Sequence, residues 1–542
     1  MNANTKVPTP INEPVRTYEP GAHETVALAN EFHAMRSVQR EIPLVIDGKA
    51  VKGHGKAFNV VEPHNHKHIL ATAHGASETD VVDAITAAKS AAPGWRNLPF
   101  DERAAVFLKA ADLLSGPWRN KIVAATMLGQ SKTCYQAEID AACELIDFWR
   151  FNVDFAHKIL SDQPISSAGI WNRSEYRSLE GFVYAVTPFN FTAIGGNLPT
   201  APALMGNTVI WKPAHTQMLA ASITMELLQA AGLPDGVINL VTGDSSMISD
   251  VVLSDPDLAG IHFTGSTAVF QNIWATVGNN IHNYRTYPRL VGETGGKDFI
   301  FAHPSADIDV LRTAMIRGAY EYQGQKCSAA SRAYVPASLW KGMKDGLISA
   351  INELTVGDVS DFSNFMGAVI DERAFAKLKS VLEMAAQDPK IEVLAGGTCD
   401  DSVGFFVQPT LVTCSDPEHE VFSTEYFGPF LAVYVYEDSQ YEKVLTQMES
   451  NAPYALTGAF IATDRAAINH ASNFLRFAAG NFYINDKPTG AVVGQQPFGG
   501  ARGSGTNDKA GSAQNLLRWV SARSIKETLV PPTNHLHPHQ GL

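Results

Sequence analysis

Cysteine is scarce in this sequence of 542 residues, and the five cysteines are Cys134, Cys143, Cys327, Cys399 and Cys414. An odd number at wide spacing does not form a disulfide framework, and there is no CxxC pair for zinc. A basic excess is also missing, because the formal net charge is −13. Nucleic-acid phosphates need a clustered basic surface, so this charge argues against a nucleic-acid partner.

Long apolar runs are missing too, since no stretch approaches the roughly 18 to 20 residues needed to span a bilayer. We therefore expect no membrane partner. The leader MNANTKVPTPINEPVRTYEPGAHE has no apolar signal core, and it contains Glu13, Glu19 and Glu24, which do not suit an acid-poor transit peptide. This pattern predicts a cytoplasmic protein, with the mitochondrial matrix as the alternative if a presequence has been removed.

What is present is an ordinary folded chain, with 45% hydrophobic and 18% charged residues and enough length for two or three domains. From Gly181 onward, short apolar runs alternate with helical patterns. The runs are GFVYAV, NTVIW and GVINLV, with AGIHFTG and RLVGE as weaker candidates. Strands separated by helices predict a parallel sheet covered on both faces, and nucleotides bind at the carboxyl ends of such strands.

A second alternation of strands and helices begins after Glu293 and predicts a second α/β domain with its own sheet. A long helical region precedes the first sheet, from SETDVVDAITAAKSAA to QAEIDAACELIDFWRFNVDFA. The polar alternation of residues 165–181 interrupts the first domain and predicts a projecting hairpin. We expect this hairpin and the C-terminal strand LRWVSARSIKETLV to join subunits in a homo-oligomer, a dimer or larger.

Neither GxGxxG nor GxxxxGK[ST] occurs, which alone argues against a dinucleotide site. Two stretches together favour one nevertheless, and a third has a different role. Lys212 in WKPAHTQ ends a strand, and Gly265 and Ser266 in HFTGS open a helix whose free N–H groups suit a pyrophosphate. Asn190 in PFNF follows a strand, so its amide is either an oxyanion donor or simply a helix N-cap.

The fourth stretch contains a carboxylate and a thiol, Glu293 in VGETGGKDF and Cys327 in GQKCSAASR. A lone cysteine is more often structural than catalytic. A thiol and a carboxylate beside one cleft nevertheless suit covalent catalysis, in which the carboxylate later activates water.

Together and in order, PFNF, WKPA, FTGS, ETGGK, GQKC and EYFGPF resemble the aldehyde dehydrogenase superfamily, from about Pro43 to Val530. The glycine pattern of that superfamily is FTGS, which accounts for the missing GxGxxG. CELIDFWRFN, YQGQKCSA and NDKPTGAVVGQQPFGG give a finer resemblance to the delta-1-pyrroline-5-carboxylate dehydrogenases. The resemblance implies an α/β fold with a Rossmann-type NAD-binding domain (1–164 and 182–292), a catalytic domain (293–500) and a small β-hairpin oligomerisation arm (165–181 and 501–535).

The resemblance also implies a reaction, the NAD-dependent oxidation of L-glutamate γ-semialdehyde to L-glutamate in proline degradation. Cys327 would be the nucleophile, Asn190 would hold the oxyanion, and Glu293 would activate water. Residues implied for NAD binding are Thr187, Lys212, Gly265, Ser266, Thr267, Ala268, Val269, Glu425 and Phe427. Residues implied for substrate binding are Glu144, Phe191, Lys326, Gly490, Ala491 and Phe498, and no metal ion is implied.

Some of these assignments have simpler alternatives. Lys326 is otherwise a surface side chain, and Glu144 is otherwise a carboxylate on a helix face. The family usually has Ser at the position of Ala491, and the loss of one hydrogen bond to a charged group costs about 1.5–3 kcal/mol. After WKP this chain has Ala214 and His215 in place of an acid that would repel the 2′-phosphate of NADP, yet the resemblance favours NAD.

Other functions also remain possible from the sequence. The first alternative is an aldehyde dehydrogenase for another acid-bearing aldehyde, such as succinate semialdehyde. A non-catalytic protein on the same scaffold and a thiol-based acyltransferase that makes acyl-CoA are further alternatives. The histidines of PHNHKH and of the tail, at 535, 537 and 539, suit a metal less well than an exposed loop and a frayed tail, because no Cys or carboxylate lies at ligand spacing.

Overall fold

Helices dominate the first part of the computed structural model, which describes residues 5–541. The elements are α1 (His23–Arg36), β1 (Arg40–Ile42), β2 (Leu44–Ile46), β3 (Lys49–Val51), β4 (Ala57–Glu62), β5 (Asn65–His74), α2 (Glu78–Asn97), α3 (Phe100–Ser115), α4 (Arg119–Gln130), α5 (Cys134–Ala137), a π-helix (Glu138–Glu144) and α6 (Leu145–Ser161). The predicted long helical region is therefore confirmed. α2 begins with a capping box, in which the Ser77 hydroxyl accepts from the Asp80 N–H and the Asp80 carboxylate accepts from the Ser77 N–H.

The first large sheet is built mainly from the next part of the chain. Its elements are β6 (Ile170–Ser178), β7 (Phe182–Thr187), α7 (Thr192–Leu204), β8 (Thr208–Pro213), α8 (Met218–Ala231), β9 (Ile238–Leu240), α9 (Ser245–Ser254), β10 (Leu258–Thr264), α10 (Thr267–Asn279) and β11 (Arg289–Glu293). The strand order is β11-β10-β7-β8-β9-β2-β3, and β7 to β11 are parallel. All five predicted strands are confirmed. Every residue of β8 and β10 is buried, as expected for strands covered on both faces.

The second large sheet follows Glu293. Its region contains β12 (Asp298–Ala302), α11 (Ile308–Tyr320), β13 (Ala330–Pro336), α12 (Ala337–Asn352), α13 (Glu372–Gln387), β14 (Ile391–Ala395), β15 (Cys399–Asp400), β16 (Phe406–Val407), β17 (Thr410–Cys414), β18 (Phe430–Tyr436), α14 (Tyr441–Asn451), β19 (Tyr454–Ala455), β20 (Thr457–Ile461), α15 (Arg465–Phe474), β21 (Asn481–Ile484), β22 (Ala501–Arg502), α16 (Ala513–Leu517) and β23 (Val520–Thr528). The order is β14-β17-β18-β13-β12-β20-β21, and only the edge strand β14 is antiparallel. The second predicted sheet is confirmed.

Chain order and spatial order differ in the first sheet in a way that locates a crevice. From β7 the chain moves outward through β8 and β9, then returns to the other side of β7 for β10 and β11. The connections therefore diverge between β7 and β10. In open α/β sheets, ligands bind outside the carboxyl ends of the strands at such a switch point.

The segment 165–181 does not form a hairpin, so that part of the prediction is wrong. It contributes the single strand β6, which pairs antiparallel with β23 from Ile170 opposite Thr528 to Ser178 opposite Val520. The two strands form a separate two-stranded sheet. The alternating polarity of β6 was compatible with either pairing, because a two-residue period does not reveal a distant partner.

The exposed-loop interpretation is wrong for His64, which is 1% exposed. Its Nδ1 lies 3.2 Å from the Ser131 hydroxyl, and burial lowers its pKa to about 4. The histidines at 535, 537 and 539 are exposed. Among residues 5–541, no group of three or more His, Cys, Asp or Glu side chains is placed to hold a metal ion. Within the same range, none of the helices has the length and apolar content required to cross a bilayer.

Candidate active site

Cys327 lies in the loop before β13, and a strained turn precedes it. Tyr322 and Gln323 both have left-handed backbone conformations, with φ values of 53° and 55°. Such conformations cost energy in non-glycine residues and persist only where the surroundings fix them. The Gln323 side-chain amide does so, because its Nε2 donates to the Ser131 carbonyl at 2.9 Å and to the Ala368 carbonyl at 2.7 Å. The turn thus fixes the direction in which the chain reaches Cys327.

Asn190 is not the N-cap of α7, so that alternative is wrong. The N-cap residue is Phe191, whose own side chain makes no capping hydrogen bond, and the Asp140 carboxylate accepts from the Thr192 and Ala193 N–H groups of the first turn instead. The buried Asn190 amide instead donates from Nδ2 to the Gln325 carbonyl at 3.0 Å. An amide nitrogen carries two N–H groups. One N–H therefore holds the loop that carries Cys327, and the second remains as a donor for a developing negative charge.

Glu293 is the last residue of β11, and the glycines that follow it allow three segments to meet closely. The Gly296 N–H donates to Glu425 Oε1 at 2.8 Å. A Cβ atom at Gly296 would lie 2.3 Å from the carbonyl oxygen of Cys327 and 2.4 Å from Asp298 Oδ2. The absence of a side chain at Gly296 is therefore what lets the Cys327 backbone approach the end of β11.

We expect Gly296→Ala to displace the Cys327 loop, because backbone atoms cannot move aside as a flexible side chain can. Overpacking of this kind costs about 1–3 kcal/mol of unfolding free energy. The thermal unfolding midpoint should therefore fall, and the rate of Cys327 alkylation by iodoacetamide should differ from that of the wild type. The control is Gly278→Ala in α10, where a Cβ atom would meet nothing within 4 Å. Equal behaviour of the two variants would contradict this close packing.

Burial strongly changes the protonation of the two reactive side chains. It raises the pKa of the Glu293 carboxyl to about 8, while Lys509 lowers this pKa and Asp508 raises it. It also raises the pKa of the Cys327 thiol well above its ordinary value, with further contributions from Glu293, Asp298 and Glu425. The resting site therefore has a neutral thiol beside a carboxyl group that is poised to gain or lose a proton near neutral pH.

Two of the residues predicted to bind a cofactor, Lys212 and Thr187, lie at the carboxyl edge of the first sheet. Lys212 is in the last residues of β8, and burial lowers its pKa to about 8. Thr187 ends the neighbouring β7, and its hydroxyl accepts from Trp211 Nε1 at 3.0 Å. Thr242, just after β9, and Thr264, at the end of β10, lie at the same edge. Their buried hydroxyls have no hydrogen-bond partner among residues 5–541. Unpartnered buried hydroxyls fit a polar ligand.

The predicted glycine turn lies at the start of α10, beyond the carboxyl end of β10. Ser266 is the N-cap, and its hydroxyl accepts from the Val269 N–H at 3.4 Å. The Gly265 N–H donates to the Glu293 carbonyl at 3.2 Å, which ties this turn to the end of β11. Thr267 and Ala268 are the first residues of the helix. Free N–H groups in its first turn fit a pyrophosphate.

The opposite side of the crevice carries Glu425 and Phe427, in the loop before β18. The Phe427 ring meets the ring of Phe189 edge to face, with 5.8 Å between centroids. Near Lys212, His215 lies 2.6 Å from the Gly243 carbonyl, and burial lowers its pKa, so its ring is neutral near pH 7. A neutral ring offers no charge to a 2′-phosphate.

A cavity of about 380 Å³ opens onto Cys327. Its walls include every residue that was predicted to bind the substrate, namely Glu144, Phe191, Lys326, Gly490, Ala491 and Phe498. Gly490 has a φ of 98°, which glycine adopts without strain and which shapes the loop at one end of the cavity. Thr489 also lines this end, and its hydroxyl accepts from Ser328 at 2.8 Å, so its own hydrogen remains a donor.

Lys326 is 6% exposed, so the surface alternative is wrong. Its ammonium donates to Glu321 Oε2 at 3.2 Å, and Arg317 donates to Glu321 Oε1 at 2.7 Å. Two cations share one carboxylate, which leaves one net positive charge at the wall. Glu144 ends the π-helix on another wall, and burial raises its pKa well above the ordinary value. A helix-face carboxylate in solvent would show no such change.

Sequence reasoning missed Lys132, which is 1% exposed beneath Phe191. Its ammonium lies 4.1 Å from the centroid of the Phe191 ring and 4.4 Å from that of Tyr322. It also donates to Asp140, whose carboxylate accepts from the Thr192 N–H at 3.0 Å. This buried ion pair supports both an aromatic wall of the cavity and the turn before Cys327. No local pattern around Lys132 distinguishes it from a surface lysine.

The chain is similar over most of its length to proteins of one family. A family model described as "Aldehyde dehydrogenase family" matches residues 50–525. The Delta-pyrroline-5-carboxylate dehydrogenase of Mycobacterium tuberculosis, solved bound with NAD, is 60% identical over all of both chains, with a TM-score of 0.97. The mitochondrial Delta-1-pyrroline-5-carboxylate dehydrogenase of Dictyostelium discoideum is 49% identical over 99% of this chain and 97% of its own length. For the Homo sapiens protein of the same name the identity is 48%, over 96% and 92%.

Proposed function

The chain belongs to the aldehyde dehydrogenase family, and we propose that it oxidises L-glutamate γ-semialdehyde to L-glutamate with NAD, the second step of proline degradation. The observation that carries this proposal is that one cavity is lined by Cys327, by Glu144 and by the loop at Gly490 and Ala491. An amino-acid aldehyde needs apolar walls, an anion site and a carboxylate for its amino group. The semialdehyde is in equilibrium with the cyclic imine 1-pyrroline-5-carboxylate, after which the relatives are named.

The first chemical step forms a bond between the Cys327 sulfur and the aldehyde carbon. The thiol releases its proton to solvent, the thiolate attacks the aldehyde carbon, and the carbonyl oxygen becomes an oxyanion in the resulting thiohemiacetal. We assign the free N–H of the Asn190 amide and the backbone N–H of Cys327 to this oxyanion. NAD held at the carboxyl edge of the first sheet would supply the hydride acceptor, and loss of hydride from this carbon would leave a thioester on Cys327.

Hydrolysis of the thioester requires an activated water, and we assign its activation to Glu293. With a pKa of about 8, its carboxyl group can take a proton from water and return it within the same pH range. The products are L-glutamate and the free thiol of Cys327. The same role for Glu293 disfavours transfer of the acyl group to coenzyme A.

Recognition of the substrate would divide between the two ends of the cavity. The backbone N–H groups at Gly490 and Ala491 suit the α-carboxylate, and the Thr489 hydroxyl supplies a donor where Ala491 has none. We assign Glu144 to the α-amino group, because an ammonium beside it would lower its pKa and favour its charged form. Phe191 and Phe498 supply apolar walls for the carbon chain.

We expect Lys509→Met to move the pH dependence of turnover to higher pH. The Lys509 ammonium donates to the Gly480 carbonyl at 2.8 Å and lowers the pKa of Glu293. The base is active when ionised, so turnover should rise with pH through about 8 in the wild type and through a higher value in the variant. Steady-state kcat against pH measures this change, with Lys341→Met at an exposed position on α12 as the control. An unchanged profile would mean that Glu293 does not limit turnover.

The proposed function is tested by comparing aldehydes and cofactors with the purified protein. NADH formation should give a kcat/KM for glutamate γ-semialdehyde at least about tenfold above that for succinate semialdehyde, since unpaired polar groups in the site disfavour the wrong substrate. NADP should be the poorer cofactor. Equal values for the two aldehydes would remove the substrate assignment. A thioester product with added coenzyme A would favour an acyltransferase instead.

We also infer that a second copy of the chain binds through β6 and β23, and light scattering tests the resulting homo-oligomer. An ion pair between Arg173 and Glu527 at 2.7 Å crosses the β6–β23 sheet, no residue of β6 is buried, and most of β23 is exposed. The cellular compartment of the protein depends on whether its host is a bacterium or a eukaryote. A bacterial host places the protein in the cytoplasm, and the relatives named as mitochondrial favour the matrix in a eukaryote.

A further inference from the structure

The segment before α1 forms part of the cavity wall, although its sequence shows only a polar, proline-rich leader. Asn12, Glu13 and Val15 all line the cavity that contains Cys327. Residues so early in the chain have no place in the sheets that carry the reactive groups. Their contacts therefore raise the question of what the segment does at the cavity.

The Asn12 side chain connects two walls of the cavity. Its Nδ2 donates to Asp147 Oδ2 on α6 at 2.7 Å and to the carbonyl of Val493 at 2.9 Å. Its Oδ1 accepts from Gln495 Nε2 at 3.0 Å. One amide thus uses both its donors and its acceptor to fasten the loop that follows Gly490 to the start of α6.

The neighbours of Asn12 hold it in this position. The Glu13 N–H donates to Asp147 Oδ1 at 2.7 Å, so Asp147 receives hydrogen bonds on both oxygens from the segment. The Glu13 carboxylate pairs with Arg119 and with Arg150. Further along, the Tyr18 hydroxyl donates to Glu138 Oε2 at 2.7 Å. A backbone anchored at this many points holds the Asn12 amide in one orientation.

The two walls joined by Asn12 carry the groups that were assigned to the two ends of the substrate. Val493 lies two residues after Ala491, and Asp147 lies one helical turn after Glu144. We propose that Asn12 is a positioning residue for substrate recognition. It sets the distance between the loop at Gly490 and Ala491, which was assigned to the carboxylate, and the helix that carries Glu144. This inference rests on the proposed function, because it concerns an aldehyde that carries both an amino group and a carboxylate.

The test compares Asn12→Ala and the isosteric Asn12→Asp with the wild type and with Thr17→Ala, an exposed control in the same segment. Each variant is assayed with glutamate γ-semialdehyde and with propanal, which has neither an amino group nor a carboxylate. Loss of the bridging hydrogen bonds should raise KM for the semialdehyde roughly tenfold in both Asn12 variants. Values of kcat and KM for propanal should remain within about twofold of the wild type, since Asn12 does not contact the reacting atoms.

The outcomes separate this inference from the proposed function. A rise in KM for the semialdehyde alone supports the role of Asn12, and the Asp variant shows that the amide donors matter rather than the volume. An unchanged KM, or an equal loss with both aldehydes, overturns it and leaves the proposed function intact. A wild type that does not prefer the semialdehyde over propanal overturns both.

Discussion

Cys327→Ala is expected to lower kcat for the semialdehyde by roughly a thousandfold or more, because no other group can form the covalent intermediate. The cavity leads to this sulfur, and the strained turn at Tyr322 and Gln323 fixes the loop that carries it. Cys327→Ser should fail as well, since a hydroxyl is a far weaker acid than a thiol. NADH formation at saturating aldehyde and NAD measures the loss.

The controls for this loss must separate chemistry from folding. Cys399→Ser changes a half-buried cysteine on β15, away from the cavity, and should keep wild-type turnover. The Cys327 variants should bind NAD with an unchanged Kd, because the groups assigned to the cofactor lie on other loops. A serine variant that retains more than about a tenth of turnover would exclude the thiolate mechanism.

Glu293→Gln is expected to lower steady-state turnover by about 10²–10⁴-fold, the range that general-base catalysis contributes. The loss should fall on hydrolysis and leave the earlier steps. Rapid mixing should then show a burst of one NADH per active site followed by a slow phase. Intact-protein mass spectrometry during the slow phase should find the acyl group on Cys327.

The control for Glu293→Gln is Glu418→Gln, which removes a carboxylate from an exposed loop and should leave both phases unchanged. The pH dependence gives a second measurement. The slow phase of the Glu293 variant should not show the rise through pH 8, since glutamine does not titrate. Slow and linear NADH formation without a burst would contradict the assignment and would indicate that Glu293 acts before hydride transfer.

The sequence was sufficient for the two parallel sheets because their strands are buried on both faces and so appear as continuous apolar runs. β8 and β10 are of this kind, with every residue buried. The reactive residues could also be found, since each stands beside glycine, proline or a strand end in a recognisable motif. Domain boundaries and individual catalytic roles remain predictions for the experiments above.

Features that depend on distant partners could not be predicted. His64 is buried because Ser131, 67 residues later, meets its ring. Asn12 acquires its contacts from Val493, which lies 481 residues away. The burial of Lys326 had one local signal in the sequence. Arg317 and Glu321 have the i,i+4 spacing of an ion pair, which indicates a cluster of charged side chains just before Lys326. No periodic pattern encodes the other contacts.

The pairing of β6 with β23 has a consequence for biosynthesis. β6 leaves the ribosome about 350 residues before its partner strand, which at ordinary elongation rates corresponds to tens of seconds. Throughout this interval the backbone N–H and C=O groups of β6 remain without a neighbouring strand. An unpaired strand edge is a template for another nascent chain. Nascent polypeptides on a crowded polysome are therefore exposed to strand exchange until β23 has been translated.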